Sequence, residues 1–152
     1  MSFTTGDRAI MSLSILLVED SPSDAAILIA AFEDVGCTNP IRVVTNGIDA
    51  IAALEETIPQ LILLDLNLPK KNGLEVLEEI KQHPIWLQIP TVVLSSSSSQ
   101  SDIDQCYQRH ANAYLAKPME FAQYRAIAKQ LHSFWLEAAE LPAYEPPFSV
   151  PT

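Results

Sequence analysis

The chain has 152 residues, of which 48% are apolar, and this length suits one domain with a substantial core. Its 19 acidic and 9 basic residues give a formal net charge of -10, which disfavours binding to nucleic acid or to an anionic membrane, because both need a basic surface. The longest apolar stretch, Ala25 to Phe32, is far shorter than the roughly 20 residues that span a bilayer.

The ends of the chain and its cysteines point to a cytoplasmic protein. The segment Met1 to Ser12 lacks the basic opening and the apolar core of a secretion signal. Cys37 and Cys106 lie far apart, without the close spacing of metal ligands, so both thiols are expected to be reduced.

Three parts are expected along the chain. Residues 1–12 form an N-terminal extension, residues 13–137 the folded domain, and residues 138–152 a proline-rich tail. Four of the eleven prolines follow Leu141, which predicts an extended segment without a core of its own.

Short apolar runs alternate with longer amphipathic segments from Ile15 to Lys117, a pattern that predicts βαβ units and a parallel sheet. Each run is rich in Val, Ile or Leu and ends near polar residues or proline. The five predicted strands are Ile15–Val18, Ile41–Val44, Leu61–Leu64, Thr91–Leu94 and Ala113–Leu115.

The first helix has clear start and stop signals. Ser21 can cap it, Pro22 suits its first position, Asp24 is an early carboxylate that favours the helix dipole, and Gly36 ends it.

The next two helices are each expected to bury one side. Asn46 can cap the second, which runs to Glu56. Its predicted inner stripe comprises Ile48, Ile51, Ala52 and Glu55. For the third helix, the buried side is predicted as Leu74, Leu77 and Ile80, and the solvent side as Glu75, Glu78, Glu79 and Lys81.

The last two helices differ in their apolar content. The fourth, from about Ser101 to Arg109, has only Ile103 and Tyr107 as large apolar anchors and should be the least firmly held. The fifth has more apolar surface than one side of a sheet needs, so it either packs wholly inside the domain or covers a partner. Its apolar residues are Phe121, Tyr124, Ile127, Ala128, Leu131, Phe134 and Trp135.

Asp65 directly follows the buried strand Leu61–Leu64, at the strand end where ligands of parallel sheets bind. A lone Asp there more often only begins a turn. Glu19 and Asp20 follow the first strand, however, and would meet Asp65 at the same edge. Clustered carboxylates hold protons or a cation, and an oxygen site of this kind suits Mg²⁺, although the pair could also be a polar capping loop.

A hydroxyl and an ammonium join this edge, because the fourth strand ends at Ser95 and the fifth just before Lys117. Carboxylate, hydroxyl, ammonium and divalent cation together make a phosphoryl site, in which a carboxylate attacks phosphorus. The run from Ser95 to Ser99 predicts either a flexible loop or polar filler, and the filler interpretation is favoured.

With these motifs, the chain from about Ile15 to Leu136 resembles the receiver domain of bacterial two-component response regulators. The resemblance implies a flavodoxin-like α/β fold, a doubly wound five-stranded parallel sheet in the order 2-1-3-4-5 with five helices. It also implies an acidic pair at Glu19 and Asp20, a phosphoacceptor at Asp65, and a metal-binding backbone carbonyl at Asn67.

The remaining family positions match as well. Ser95 is similar to the family's hydroxyl, 30 residues after Asp65, and Lys117 to its lysine, 52 residues after Asp65. Tyr114, three residues before that lysine, resembles the switch aromatic, and Pro118 is expected to follow a cis bond. Glu19 and Ser95 replace the more usual Asp and Thr but keep their chemistry.

The implied function is signalling rather than enzymatic turnover of a separate substrate. A sensor histidine kinase would donate a phosphoryl group to Asp65 with Mg²⁺ or another divalent cation, the receiver assisting its own phosphorylation and dephosphorylation. Asp65–Gly73, together with the late Phe134–Leu136 and Leu141-Pro142, resembles the cyanobacterial phytochrome response regulators. That implies a phytochrome-type kinase and a homodimer through the face of helix 4, strand 5 and helix 5, without DNA or membrane partners.

Three alternatives are open. One is a chemotaxis-like monomeric receiver that serves a different kinase and effector. A phosphohydrolase with an aspartyl nucleophile is disfavoured. Those enzymes look like Asp-x-Asp at this place, and here Asn67 fills the position of the second Asp, which leaves no general acid. A nucleotide-binding enzyme is disfavoured because neither glycine-rich phosphate motif is present.

Overall fold

The structure is a computed structural model that describes residues 14–143. The predicted extension, residues 1–12, and most of the proline-rich tail lie outside the described residues. Within the described part, no helix combines the length and the apolar character that crossing a membrane requires. Cys37 and Cys106 are both free and buried.

Five parallel strands form one sheet in the order β2-β1-β3-β4-β5, which confirms the predicted fold. All five predicted strands are present, and the last two each extend one residue further than predicted. The strands are β1 Ile15–Val18, β2 Ile41–Val44, β3 Leu61–Leu64, β4 Thr91–Ser95 and β5 Ala113–Ala116.

Five helices connect and follow the strands. They are α1 Pro22–Asp34, α2 Gly47–Glu56, α3 Gly73–Gln82, α4 Gln100–Gln108 and α5 Phe121–Leu131. A short 3₁₀ turn, Trp86–Gln88, precedes β4, and α5 continues into a π-helical segment, His132–Ala138. The predicted caps of α1 and α2 are confirmed: the Ser21 hydroxyl accepts from the Asp24 amide at 3.2 Å, and the Asn46 side chain accepts from the Asp49 amide at 2.8 Å.

The sheet is covered on both faces, and alternate strand residues point to opposite layers. One layer packs Ile15, Leu17, Leu61 and Leu63 with buried residues of α1 and α5. The other packs Leu16, Val18, Ile62 and Leu64 with buried residues of α2, α3 and α4. The strands therefore end beyond a two-layered core, and their carboxyl ends meet at one edge of the sheet.

The predicted inner side of α2 was wrong except at Ile51, which is partly buried against the core. Ile48 is 56% exposed and Ala52 is exposed, whereas Ala50, Ala53 and Leu54 are buried. Apolar residues lie on almost every side of this helix, so its periodicity allows more than one stripe, and the small Ala50 and Ala53 permit the closest approach to the sheet.

The predicted sides of α3 need two corrections. Leu77 and Ile80 are buried as expected, but Val76 is fully buried and Leu74 only partly. Lys81 does not simply face water, because its ammonium donates to the carbonyl oxygens of Leu87 and Ile89.

Candidate functional site

The register of the sheet brings the ends of β1 and β3 together. Val18 pairs with Leu64, and the amide of Asp65 donates to the Val18 carbonyl at 3.0 Å. The amide of Glu19 donates in turn to the Val44 carbonyl at 2.9 Å. Backbone hydrogen bonds thus fix Glu19 and Asp65 side by side, one residue beyond their strands.

An acidic cluster lies at this edge. Glu19 and Asp65 are only 4% and 5% exposed, whereas Asp20 is open to solvent. One carboxylate oxygen from each of the three lies within 4.8 Å of the others. Carboxylate oxygens at this spacing, with one side open to water, fit a hard divalent cation that keeps several of its water ligands.

Lys117 reaches the cluster from the end of β5. Its ammonium lies 2.7 Å from Glu19 Oε1 and 3.4 Å from Asp65 Oδ2. It also lies 2.9 Å from Asp24 Oδ2, a contact that the sequence did not predict. Asp24 is 93 residues away in the chain, and locally it is only an acidic residue in the first turn of α1.

The surroundings alter the proton affinities of two of these groups. Burial raises the pKa of Glu19 to about 7; the hydrogen bond from Lys117 opposes this shift, and the charge of Asp65 adds to it. For Lys117, burial acts to lower the pKa, but the hydrogen bonds to Glu19 and Asp24 outweigh it, so the pKa is raised. Lys117 is therefore a permanent cation in a strongly acidic site.

The loop after β3 turns tightly around Asp65. The exposed Asn67 donates its amide to Asp65 Oδ1 at 3.4 Å, and the Gly73 amide donates to the Leu66 carbonyl at 2.9 Å. A Cβ on Gly73 would collide with the backbone of Asp65 and Leu66, so this close approach requires glycine. The loop thereby positions the backbone of Asn67 beside the acidic cluster.

The serine run is structured rather than filler, which corrects the favoured interpretation. Ser95 is fully buried, and its hydroxyl accepts from the Ser97 amide at 3.2 Å. The Ser97 hydroxyl donates to Asp102 at 2.6 Å, and the Ser99 hydroxyl caps α4 by accepting from the Asp102 amide at 3.3 Å. The run connects the end of β4 to the first turn of α4.

Tyr114 joins β5 to the same loop. Its hydroxyl donates to the Ser97 carbonyl at 2.7 Å, and its partly buried ring packs against the layer of α2, α3 and α4. Its amide donates to the Tyr107 hydroxyl at 3.2 Å. A chain of contacts thus runs from Ser95 through Ser97 to Tyr114.

The expected cis bond before Pro118 was wrong. Every peptide bond in residues 14–143 is trans, including the one between Lys117 and Pro118. The trans isomer is the lower in energy by roughly 0.5–1 kcal/mol for a bond of this kind. In this conformation the Lys117 amide donates to the Ser95 carbonyl at 2.7 Å, so the end of β5 stays attached to β4.

A comparison with known protein families identifies the family to which this fold belongs. The family model of the response regulator receiver domain matches residues 15–129, which span all five strands and nearly all of α5. The chain belongs to this family. The predicted resemblance to receiver domains is therefore confirmed.

Individual relatives agree with the family assignment. The response regulator Rcp1 of Synechocystis sp. strain PCC 6803 is 40% identical over 136 residues, which are 85% of this chain and 92% of Rcp1. The probable methanogenesis regulatory protein FilR2 of Methanothrix harundinacea is 38% identical over 128 residues, covering 80% of this chain and 83% of FilR2.

Solved structures show the same architecture. The phosphorylated cyanobacterial phytochrome response regulator RcpA aligns with a TM-score of 0.80 and 40% identity, over 86% of this chain and 99% of RcpA. The Mn²⁺-bound form of Rcp1 aligns with a TM-score of 0.75 and 39% identity, again over 86% of this chain and 99% of that one.

Proposed function

We propose that this chain is a single-domain response regulator that accepts a phosphoryl group from a sensor histidine kinase onto Asp65. The observation that carries the proposal is the convergence of Asp65, Lys117 and the acidic pair at one edge of the sheet, with the Lys117 ammonium 3.4 Å from Asp65. Phosphorylated RcpA, a relative of similar length, supports it.

Each side chain would have one task in the transfer. An oxygen of Asp65 forms the new bond to phosphorus while the bond to the phosphohistidine nitrogen breaks, and the imidazole keeps that electron pair. Lys117 neutralises charge on the phosphoryl oxygens, and the Ser95 hydroxyl donates a hydrogen bond to one of them. The same groups would assist the later attack of water on the aspartyl phosphate.

Glu19, Asp20, Asp65 and the carbonyl of Asn67 would hold Mg²⁺ or another divalent cation. The acidic cluster supports this assignment, as does the Mn²⁺ bound in the structure of Rcp1. When bound, the cation neutralises phosphoryl oxygens and so makes an anionic group acceptable in an acidic site.

Ser95 and Tyr114 would report the phosphorylation. If the Ser95 hydroxyl turns to a phosphoryl oxygen, it leaves the Ser97 amide, and Ser97 is also the residue whose carbonyl holds the Tyr114 hydroxyl. Moving an active state from 1% to 99% needs roughly 5.5 kcal/mol of differential stabilisation, and hydrogen bonds to charged groups at ~1.5–3 kcal/mol each can supply it.

The proposed kinase is of the phytochrome type, which the likeness to the cyanobacterial phytochrome response regulator RcpA supports. The nearly equal likeness to FilR2 gives weight to a different histidine kinase as the alternative donor. We also propose a cytoplasmic homodimer whose receiver domain spans residues 13–137, formed through α4, β5 and α5, with no DNA partner.

The decisive experiment is labelling with acetyl phosphate and Mg²⁺, and with phosphorylated histidine kinases of several types. Wild type should gain one phosphoryl group per chain, Asp65→Asn none, and Asp49→Asn, an exposed aspartate on α2, the same as wild type. Chelating the metal should abolish labelling. Equal labelling of wild type and Asp65→Asn would overturn the proposed function.

A further inference from the structure

Among the described residues, 14–143, Asp24 is the one carboxylate in contact with Lys117 that the proposed roles leave unused. Its Oδ2 lies 2.9 Å from the ammonium, closer than Asp65 Oδ2 at 3.4 Å. The Lys117 side chain is 10% exposed and that of Asp24 is 35% exposed, so the pair is sheltered from water, although not fully.

The helix start holds Asp24 in this position. Its amide donates to the hydroxyl of Ser21, and the Ser21 amide donates to Glu19 Oε2 at 3.1 Å. The first turn of α1 is thus tied to Glu19, which itself contacts Lys117. These hydrogen bonds fix the backbone of Asp24 beside the ammonium, and its side chain makes the contact.

The ammonium has three N–H groups and, within the part of the chain that the structure describes, three carboxylate partners, but the three contacts differ in length. The two short contacts, at 2.7 and 2.9 Å, go to Glu19 and Asp24, neither of which accepts the phosphoryl group in the proposed function. Glu19 also belongs to the proposed cation ligands, so a bound cation would compete with Lys117 for it. Asp24 has no such second partner and would keep its hold on Lys117.

We propose that Asp24 is a positioning residue that competes with the phosphoryl group for Lys117 and so restrains the phosphorylation of Asp65. This inference rests on the proposed function of Asp65. With acetyl phosphate as donor, the phosphorus–oxygen bond of the donor breaks, acetate leaves with the electron pair, and a bond from Asp65 to phosphorus forms without transfer of a proton. Asp24 acts only on the Lys117 ammonium, which must neutralise the phosphoryl group during its transfer.

The test compares charge-removing and charge-retaining variants. Asp24→Asn and Asp24→Ser should lower the acetyl phosphate concentration for half-maximal labelling about two- to tenfold. Both variants lose one partly exposed ion pair with Lys117, and both lose the carboxylate that repels the incoming phosphate. Asp24→Glu should remain close to wild type. Asp34→Asn is the matched control, because Asp34 lies on the same helix and pairs with Arg125 instead of Lys117.

A second measurement needs neither metal nor phosphoryl donor. The ¹H–¹⁵N signal of the Lys117 ammonium should exchange with water several-fold faster in Asp24→Asn than in wild type or Asp34→Asn. Unchanged exchange, or a donor requirement equal to that of Asp34→Asn, would overturn the role of Asp24. The proposed function fails separately, if wild type itself gains no label at Asp65.

Discussion

Lys81 shows how the environment of a single side chain can differ from the one that the helical pattern predicts. Its ammonium donates to the carbonyl oxygens of Leu87 at 3.1 Å and Ile89 at 2.9 Å, and to the Asn112 side chain at 3.2 Å. These partners lie up to 31 residues away in the chain, so the local sequence carries no signal for them. Lys81 joins α3 to the start of β4 and to the loop before β5.

The pH dependence of stability should reveal this lysine. Burial lowers the pKa of Lys81 to about 8 from an ordinary value of 10.5. Above pH 8 the unfolded chain therefore binds more protons than the folded one, so Lys81 adds stability as pH rises toward 10.5. Relative to Lys81→Met, the free energy of unfolding of wild type should rise by about 1–2 kcal/mol, a value reduced for partial exposure.

Denaturant unfolding between pH 7 and pH 10 measures this difference, with Lys129→Met, an exposed lysine on α5, as the control for lost charge. A parallel pH dependence of wild type and Lys81→Met would contradict the assignment.

Gly73 is a second residue whose identity the fold requires. In Gly73→Ala the new methyl group would meet the backbone of Asp65 and Leu66, so the loop must shift. The free energy of unfolding should fall by about 1–3 kcal/mol, the usual cost of overpacking, and labelling of Asp65 should slow. Gly36→Ala is the control: at φ +87° it strains the backbone, but nothing lies within 4 Å of the new methyl, so labelling should match wild type.

At the scale of elements, local chemistry predicted boundaries better than it predicted faces. Ser21, Pro22 and Gly36 limit α1 through short-range capping and backbone preferences, and the structure agrees. The inner side of α2 could not be read in the same way. There, the backbone of Gly47 packs closely against Lys71, a contact between distant parts of the chain that the periodicity of the helix does not encode.

Helix α4 should be the least protected of the five helices. Cys106 is its only buried residue, whereas α1 buries four, so little apolar area opposes its opening. Amide hydrogen exchange should be faster in α4 than in α1. Ser99→Ala, which removes the cap, should accelerate it about fivefold, as expected for a loss of ~1 kcal/mol. Ser23→Ala, at an exposed position of α1, should leave α4 unchanged. Equal protection of α1 and α4 would contradict this order.

For the whole molecule, topology explains which parts of the site were predictable. A parallel sheet in this order brings the ends of β1, β3, β4 and β5 to one edge, so the convergence of Glu19, Asp65 and Lys117 follows from strand assignment alone. The contact of Lys117 with Asp24 depends on side-chain conformations on elements 93 residues apart. The link from Tyr114 to Ser97 is of the same kind, because no periodicity encodes it.

The proposed homodimer interface includes the outer edge of the sheet. β5 is an edge strand, and edge strands favour pairing with another surface unless they are covered. Tyr107, 49% exposed on α4, covers only part of this edge through its contact with the Tyr114 amide. A two-fold interface contains each residue twice, so Tyr107→Glu would introduce two negative charges into the proposed interface and should yield a monomer.

Light scattering with and without acetyl phosphate measures the molar mass of the protein in solution and so distinguishes a monomer from a dimer. Ile48→Glu, at an apolar position on α2 that is slightly more exposed than Tyr107, should retain the wild-type mass because α2 lies outside the proposed face. A wild type that is monomeric in both states would contradict the dimer. The signal would then leave through a heterologous partner on the same surface, since Tyr114 would still couple that surface to Ser95.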